Sequence, residues 1–157
     1  MTISMAAPLE VGICVRDVAR MAEFYERVLG FTRISEATLA ADRAQLAGFG
    51  PVSFTMVRMQ TGWGERIKLL QPTPGGTDAA GQAILGRVGI AYLTFVVTDL
   101  DEAWQRLLDA GVTIHSDGPT QTRPGTRLLF FADCEGNHLE LVQYDDLASY
   151  RPDIQMR

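Results

Sequence analysis

An internal repeat is the feature that most constrains the fold of this chain. Its first copy, starting at Leu9, reads LEVGICVRDVARMAEFYERVLGF, and its second, starting at Ala91, reads AYLTFVVTDLDEAWQRLLDAGV. Asp17 and Asp99 occupy equivalent positions in the two copies, 82 residues apart. A self-match of this kind indicates a duplicated structural unit, so both halves of the chain should build the same elements in the same order.

Each copy of the repeat predicts a strand followed by a capped helix. Val11, Ile13 and Val15 recur at every second position, which is the period of a strand with two unlike faces. The carboxylate of the following Asp suits a helix N-cap, and a glycine closes each copy at the point where the helix should end. Between cap and glycine, apolar residues fall at helical spacing in both copies: Val18, Met21, Phe24, Tyr25, Val28 and Leu29, then Leu100, Ala103, Trp104, Leu107 and Leu108.

The remaining sequence predicts two modules, residues 9–72 and 90–144, joined by a Gly- and Pro-rich connection over residues 73–89. Module one should contain strands at residues 31–37, 52–59 and 65–71 and a short helix at 40–46. Module two should contain strands at 90–97, 112–115, 126–132 and 137–144, a helix at 100–110 and a loop at 116–125. The predicted fold is α+β: two βαβββ modules in a single domain, residues 1–157, forming a cup-like mixed sheet with helices outside.

Composition excludes several classes of partner. The net charge is −5 and the sequence has no Lys/Arg cluster of the kind that contacts nucleic-acid phosphates, which argues against a nucleic-acid surface. No apolar run approaches the ~20 residues that span a bilayer, and the first ten residues lack the pattern of a signal peptide. The two cysteines have no metal-type spacing, and reduced thiols are expected for them. We therefore expect a cytoplasmic protein that binds neither nucleic acid nor membrane.

The strand faces opposite the helices are more polar than a protein core. Because buried charge without a partner is destabilising, this polarity predicts a cavity that holds a small-molecule ligand. The positions expected to point into it are Glu10, Gly12, Cys14, Arg66, Lys68, Leu70, Tyr92, Thr94, Val96, His138, Glu140 and Val142. Phe49 and Trp63 flank glycine turns and are candidates for the mouth of the cavity, although core packing is the commoner use of an aromatic residue.

The two repeats, the segment IKLLQP closing module one and the segment FADCEGNHLELVQ closing module two together resemble the vicinal-oxygen-chelate superfamily. This superfamily contains glyoxalase I, bleomycin-resistance proteins, extradiol dioxygenases and methylmalonyl-CoA epimerase. The resemblance covers residues 9–144. It implies the paired-module fold, a small-molecule ligand or substrate, and a homodimer.

The resemblance also implies four metal-ligand positions, and this chain departs from the usual ligands at three of them. The positions that normally hold His, Glu, His and Glu carry Glu10, Lys68, Tyr92 and Glu140. A lysine and a tyrosine replace a carboxylate and an imidazole, so the usual site for zinc, iron or nickel is lost. We expect no metal and no other cofactor. The remaining alternative is a divalent cation held weakly by Glu10 and Glu140.

Three functions are compatible with these residues. The leading prediction is an isomerase, epimerase or lyase acting next to a carbonyl, in which Glu10 or Glu140 moves a proton while Lys68 and Tyr92 hold the oxyanion. The alternatives are a metal-free drug- or metabolite-binding protein, like the bleomycin-resistance proteins, and a divalent-metal-dependent enzyme of glyoxalase or dioxygenase type. The residues expected to contact the substrate are Arg66, Thr94, His138, Trp63 and Phe49.

Structural roles for the same side chains are the competing interpretation. Lys68 and Glu140 are candidates for a stabilising ion pair, and Glu10 for an ordinary carboxylate at the start of a strand. Tyr92 is a candidate for filling the space left by a missing metal, and His138 for a solvent-exposed position at the sheet rim. His115 is assigned no role. The substrate itself is not indicated by any residue.

Overall fold

A computed structural model describes residues 10–47, 51–74, 90 and 92–151. The chain divides into two compact units, with the division between Asp78 and Ala79. Phe49, the first nine residues and most of the predicted connection lie outside the described residues.

The first unit is a four-stranded mixed sheet with one main helix. Its elements are β1 (Glu10–Cys14), α1 (Val18–Arg27), β2 (Thr32–Leu39), α2 (Ala41–Leu46), β3 (Ser53–Gln60) and β4 (Arg66–Thr73). The strand order is β1-β4-β3-β2, with β1 parallel to β4 and the other pairs antiparallel. All of these elements agree with the predicted ones, and the predicted ends differ from them by only one or two residues.

The second unit repeats this architecture. Its elements are β5 (Leu93–Val96), α3 (Leu100–Asp109), β6 (Thr120–Arg123), β7 (Thr126–Ala132), β8 (His138–Tyr144) and α4 (Leu147–Tyr150). The strand order β5-β8-β7-β6, again with a parallel first pair, matches that of the first unit. The predicted α+β fold with a duplicated βαβββ order is confirmed.

Each main helix begins with the same two hydrogen bonds, of which one is an N-cap within its first turn and the other joins it to its sheet. The predicted N-caps are confirmed: Asp17 accepts from the backbone N–H of Arg20 at 3.0 Å, and Asp99 from that of Glu102 at 2.9 Å. In addition, a glutamine amide oxygen on the last strand accepts from the first helical N–H. These bonds join Gln71 to Val18 and Gln143 to Leu100, each at 2.8 Å.

The core of the first unit lies between α1 and one face of the sheet. The side chains buried on α1 are Val18, Met21, Ala22, Phe24 and Tyr25, and those buried on the helix-facing side of the sheet are Val57, Met59, Ile67 and Leu69. Tyr25 packs edge-on against both Phe24 and Phe31, at ring-centroid distances of 5.7 and 5.3 Å. Since alternate residues of a strand point to opposite faces, burial of Ile67 and Leu69 on the helix side leaves Lys68, which stands between them, on the other face.

The core of the second unit follows the same plan with a narrower helical stripe. Leu100 and Leu107 are the buried residues of α3, and they belong to a core with Leu129, Phe131, Leu139 and Leu141. Leu108 was predicted to share this stripe, but it is 45% exposed. At 3.6 residues per turn, Leu108 lies about 80° around the helix from Leu100, whereas Leu107 lies within about 20° of it.

The second strand of the second unit was predicted in the wrong place. Residues 112–115 form only a single bridge, between Ile114 and Phe131, and β6 lies inside the segment that was predicted to be a loop. The prolines and glycines around residues 116–125 indicated a loop, but they flank a β-branched TQTR segment. Pro124 and Gly125 form a two-residue hairpin loop to β7, for which Gly125 adopts a φ of +73°.

Smaller corrections concern element ends. β2 extends to Leu39, two residues beyond its predicted end, and β5 starts at Leu93 rather than at residue 90. The polar tail contains a short helix capped by Asp146, and Tyr150 at its end stacks on Tyr144 at a ring-centroid distance of 3.7 Å. Across the described ranges, no helix has the length and apolar character needed to cross a membrane.

The antiparallel edge strand of each sheet is irregular. The register between β2 and β3 shifts between Arg33 and Ser35, and that between β6 and β7 shifts between Gln121 and Arg123. Both strands lie at the end of their sheet's strand order. A bulge of this kind bends the strand and interrupts its ladder of hydrogen bonds.

The glutamine anchors generate a stability prediction. Replacing Gln71 or Gln143 by Leu leaves the first helical N–H without its acceptor, so each variant should lower the free energy of unfolding by about 1–3 kcal/mol. Urea unfolding followed by circular dichroism measures this. Gln105→Leu, on the exposed side of α3, is the matched control and should change stability by less than about 0.5 kcal/mol. Equal effects in all three variants would contradict an anchoring role.

Candidate functional site

In the first unit, one charged cluster occupies the sheet face opposite α1. The strand register places Glu10 beside Arg66, and it places Lys68 between Gly12 on β1 and Arg58 on β3. Lys68 Nζ lies 3.0 Å from Glu10 Oε2, Arg66 Nη1 lies 3.4 Å from Oε1, and Arg58 Nε lies 3.8 Å from Oε2. We refer to Arg58, Arg66 and Lys68 around Glu10 as the cationic cluster.

Two neutral side chains orient the arginines of the cationic cluster. Arg58 Nη1 donates to Ser35 Oγ at 3.1 Å, and Arg66 Nε donates to Gln60 Oε1 at 2.6 Å. Both acceptors lie on neighbouring strands of the same sheet. The guanidinium groups are therefore held in place by the sheet itself.

The charges around Glu10 change its acid–base character. A hydrogen bond from Lys68, with the positive charges of Lys68 and Arg58, holds the pKa of the Glu10 carboxyl below its ordinary value despite the opposing effect of desolvation. A carboxylate with a lowered pKa is a weaker base. Of the two carboxylates predicted to move a proton, Glu10 is thus the less suited.

The same charges decide whether the position of Glu10 fits a metal ion. Its two carboxylate oxygens face three cationic side chains within 4 Å, which would repel a divalent cation at that place. Over the ranges that the structure describes, no group of three or more His, Cys, Asp or Glu side chains forms a potential metal site. The donor set of the first unit therefore does not fit the metal that the resemblance implies.

In the second unit, Glu140 is a buried carboxylate among apolar neighbours on β8. It is 8% exposed, and the flanking Leu139, Leu141 and Val142 are also buried. Thr94 lies opposite it on β5, and the hydroxyl of Thr94 donates to Glu140 Oε2 at 2.5 Å. Within the described part of this unit, Glu140 has no cationic side chain within ion-pair distance. Glu140 therefore differs from Glu10 in having a single neutral hydrogen-bond donor.

An aromatic pair lies next to Glu140. Phe130 on β7 is the direct cross-strand neighbour of Glu140. The ring of Tyr92 packs edge-on against that of Phe130 at a centroid distance of 5.1 Å, and Tyr92 remains 38% exposed. The arrangement combines a proton acceptor, a phenol hydroxyl and apolar surface in one unit.

Two histidines form a further contact at the β7–β8 end of the second unit. His138 Nδ1 and His115 Nε2 are 3.1 Å apart, and their rings meet at 64°. No role was predicted for His115. In the structure it is a hydrogen-bond partner of His138. Burial, and secondarily the charge of His138, lowers the pKa of His115.

The structure groups the predicted site residues by unit. Glu10, Arg66 and Lys68 meet in the first unit, while Glu140 contacts Thr94 in the second. The turn between β3 and β4 contains Trp63, which is 54% exposed, with its backbone N–H bonded to Thr61 Oγ1.

Arg58 and Phe130 were missed because prediction considered only the first and last strands of each module. The alternation of β3 and β7 carried the signal, since each of these residues stands between two buried ones.

The sequence of this chain is similar to a known protein family and to a known bacterial protein. The model of the Glyoxalase/Bleomycin resistance protein/Dioxygenase superfamily matches residues 7–141. The virulence protein STM3117 of Salmonella typhimurium strain LT2 is 26% identical over 135 residues, which cover 84% of this chain and 80% of that protein.

Solved structures agree in fold. A glyoxalase family protein from Bacillus cereus superimposes with a TM-score of 0.78 at 23% identity, covering 90% of this chain and 96% of that one. The fosfomycin resistance protein FosX from Listeria monocytogenes, complexed with Mn(II) and sulfate ion, superimposes with a TM-score of 0.61 at 13% identity, covering 89% and 93%. At these identities the likeness concerns the fold alone.

The environment of Glu10 generates a prediction about metal content. Because three cations surround this carboxylate, the purified protein should carry no stoichiometric transition metal, and a chelator should leave its melting temperature unchanged. Elemental analysis and thermal melts with and without EDTA provide the measurements. About one Zn, Fe, Mn or Ni per chain, lost together with stability on chelation, would contradict it.

The histidine pair generates a prediction about pH. His115 should titrate below its ordinary value of 6.5, and His138→Gln should raise its pKa only in part, because burial is the larger cause. Since the folded state favours neutral His115, its stabilising contribution is present above the unfolded-state pKa and is lost as the pH falls through the folded-state pKa. Histidine NMR titration of both forms tests this, and a His115 pKa at or above 6.5 in the parent protein would contradict it.

Proposed function

Because the chain belongs to the Glyoxalase/Bleomycin resistance protein/Dioxygenase superfamily, we propose that it is a small-molecule enzyme that works without a metal. The proposed reaction is an isomerisation, epimerisation or elimination that begins at a C–H bond next to a carbonyl. Glu140 takes the proton, the electrons of the broken bond move towards the carbonyl oxygen, and the proton returns to the same skeleton or a leaving group departs. The cytoplasm and a homodimer remain the expected location and assembly.

The environment of Glu140 is the observation that carries this proposal. Among the described residues Glu140 accepts one hydrogen bond, from the Thr94 hydroxyl, and has no cationic neighbour, whereas the cations around Glu10 lower the pKa of that carboxyl and make it a weaker base. Thr94 orients the carboxylate through Oε2, which leaves Oε1 for the substrate. The contrast with Glu10, whose pKa is lowered, selects Glu140 from the two candidates.

The remaining predicted residues take binding roles in this proposal. The Tyr92 hydroxyl donates to the substrate carbonyl, and the adjacent Phe130 ring provides apolar contact. In the first unit, Glu10 is the counter-ion of Lys68 rather than a base. The proposed substrate contact of His138 follows from its position on the same face of β8 as Glu140.

Binding and sequestration of a ligand is the second candidate function. The Tyr92–Phe130 pair favours it, because aromatic surface is what holds a flat ligand. Of this pair, only Tyr92 was among the predicted cavity positions, and the Phe130 ring beside it supports the alternative. The two functions differ in one property, which is whether a bound ligand exchanges a proton or turns over.

Glu140→Gln separates the two functions. After a ligand has been found by thermal-shift screening of carbonyl compounds, the variant should still bind it but lose turnover, or solvent-deuterium exchange at its acidic carbon, by at least ~100-fold. Glu102→Gln, an exposed carboxylate on α3, is the matched control and should retain full activity. Sedimentation of the same samples reports the assembly state.

One result would reject catalysis in favour of sequestration. It is tight binding by the parent protein with neither turnover nor deuterium exchange. Equal activity of Glu140→Gln and the parent would instead reject Glu140 as the base while leaving catalysis in place.

A further inference from the structure

We propose that the cationic cluster of the first unit is a binding site for a compact dianionic oxyanion, namely a phosphate group or a dicarboxylate. The inference concerns Arg58, Arg66, Lys68 and Glu10 alone. It goes beyond the proposed reaction and holds for an enzyme and for a sequestering protein equally, because it does not depend on Glu140.

The charge balance of the cluster is the first argument. Three cationic side chains share a single carboxylate, which leaves two positive charges uncompensated within the cluster. These side chains are only 28–37% exposed, so water screens their mutual repulsion less than it would on an open surface. A ligand group with two negative charges would neutralise the cluster.

The hydrogen bonding of Arg58 is the second argument. Among the described residues, Arg58 makes one hydrogen bond, from Nη1 to Ser35. Its Nε is buried without an acceptor, since the nearest Glu10 oxygen is 3.8 Å away. A guanidinium group presents several N–H donors in a rigid plane that matches the geometry of phosphate and carboxylate oxygens. Ser35 therefore holds in position a side chain whose other donors suit an oxyanion.

The residue beside Lys68 is the third argument. Gly12 is the β1 residue paired with Lys68, and it carries no side chain on the face of the cluster. A Cβ at this position would lie 3.2 Å from Leu70 Cδ1, which is closer than side chains usually approach. At this paired position, β1 therefore has no side chain that would compete with a ligand for the ammonium group.

Glu10 has a definite role in this proposal. Its carboxylate competes with the oxyanion for the same three cations, as the lowered pKa of Glu10 illustrates. Removing its charge should therefore tighten oxyanion binding, whereas removing a cation should weaken it. A cluster that served only stability would show neither response.

Isothermal titration calorimetry of the full chain at pH 8 tests the proposal. The probes are inorganic phosphate and succinate, each against sodium chloride at matched ionic strength. We expect one saturable site, which Arg58→Gln weakens by at least ~10-fold and Glu10→Gln tightens by at least ~3-fold. Arg27→Gln, which removes an exposed cation from α1, is the control and should leave the affinity unchanged.

The outcomes identify the ligand or overturn the site. Tighter binding of phosphate supports a phosphorylated ligand, and tighter binding of succinate supports a dicarboxylate. Absence of saturation with both probes, or weaker binding by Glu10→Gln, overturns the proposal. If Arg58→Gln fails to fold, the Nε–Hε resonance of Arg58 in the parent protein replaces it, and its failure to shift on titration with phosphate and succinate also overturns the site. Because the readout is binding, the result is independent of any loss of turnover.

Discussion

The arrangement of both units depends on the hydrogen bond between the glutamine near the end of the last strand and the first N–H of the main helix. Gln71 and Gln143 point to the same faces as Leu69 and Leu141, so bonding the helix also fixes which face it covers. Side chains of a strand alternate, and a slip of one residue would exchange its two faces. Lys68 and Glu140 therefore lie away from the helices because of the hydrogen bond that the glutamine three residues further along the same strand makes to the helix.

Duplication has given two sheets of the same order with chemically different faces. In the first unit the position on the last strand is Lys68, with Arg66 on the same strand and Arg58 on the adjacent β3. In the second unit the corresponding position is Glu140, with a threonine and a phenylalanine as its neighbours. One scaffold thus holds a positively charged surface and a carboxylate in apolar surroundings. The strand order and the pairing directions that support both are the same.

Local patterns accounted for most of the fold and for part of the candidate site. The capped helices and the alternating strands were predictable because each depends on residues close together in sequence, as at Asp17 and Asp99. The partners of Glu10 were only partly predictable. Strand alternation predicted Arg66 and Lys68 on the same inward face as Glu10, although the predicted ion-pair partner of Lys68 was Glu140. Arg58 reaches Glu10 through the register of β3 against β4, which no local pattern encodes. For the same reason the His115–His138 contact was missed, since it joins residues 23 apart.

The bulges in β2 and β6 have a consequence for how copies of this chain behave in concentrated solution. An edge strand normally offers an unbroken row of backbone donors and acceptors to any other chain that arrives in extended form. Here the shifts at Arg33/Ser35 and Gln121/Arg123 break that row near the start of β2 and within β6. A strand from another molecule could pair with only a few residues before losing register. The duplicated fold thus resists fibrous self-association at the antiparallel edge of both of its sheets.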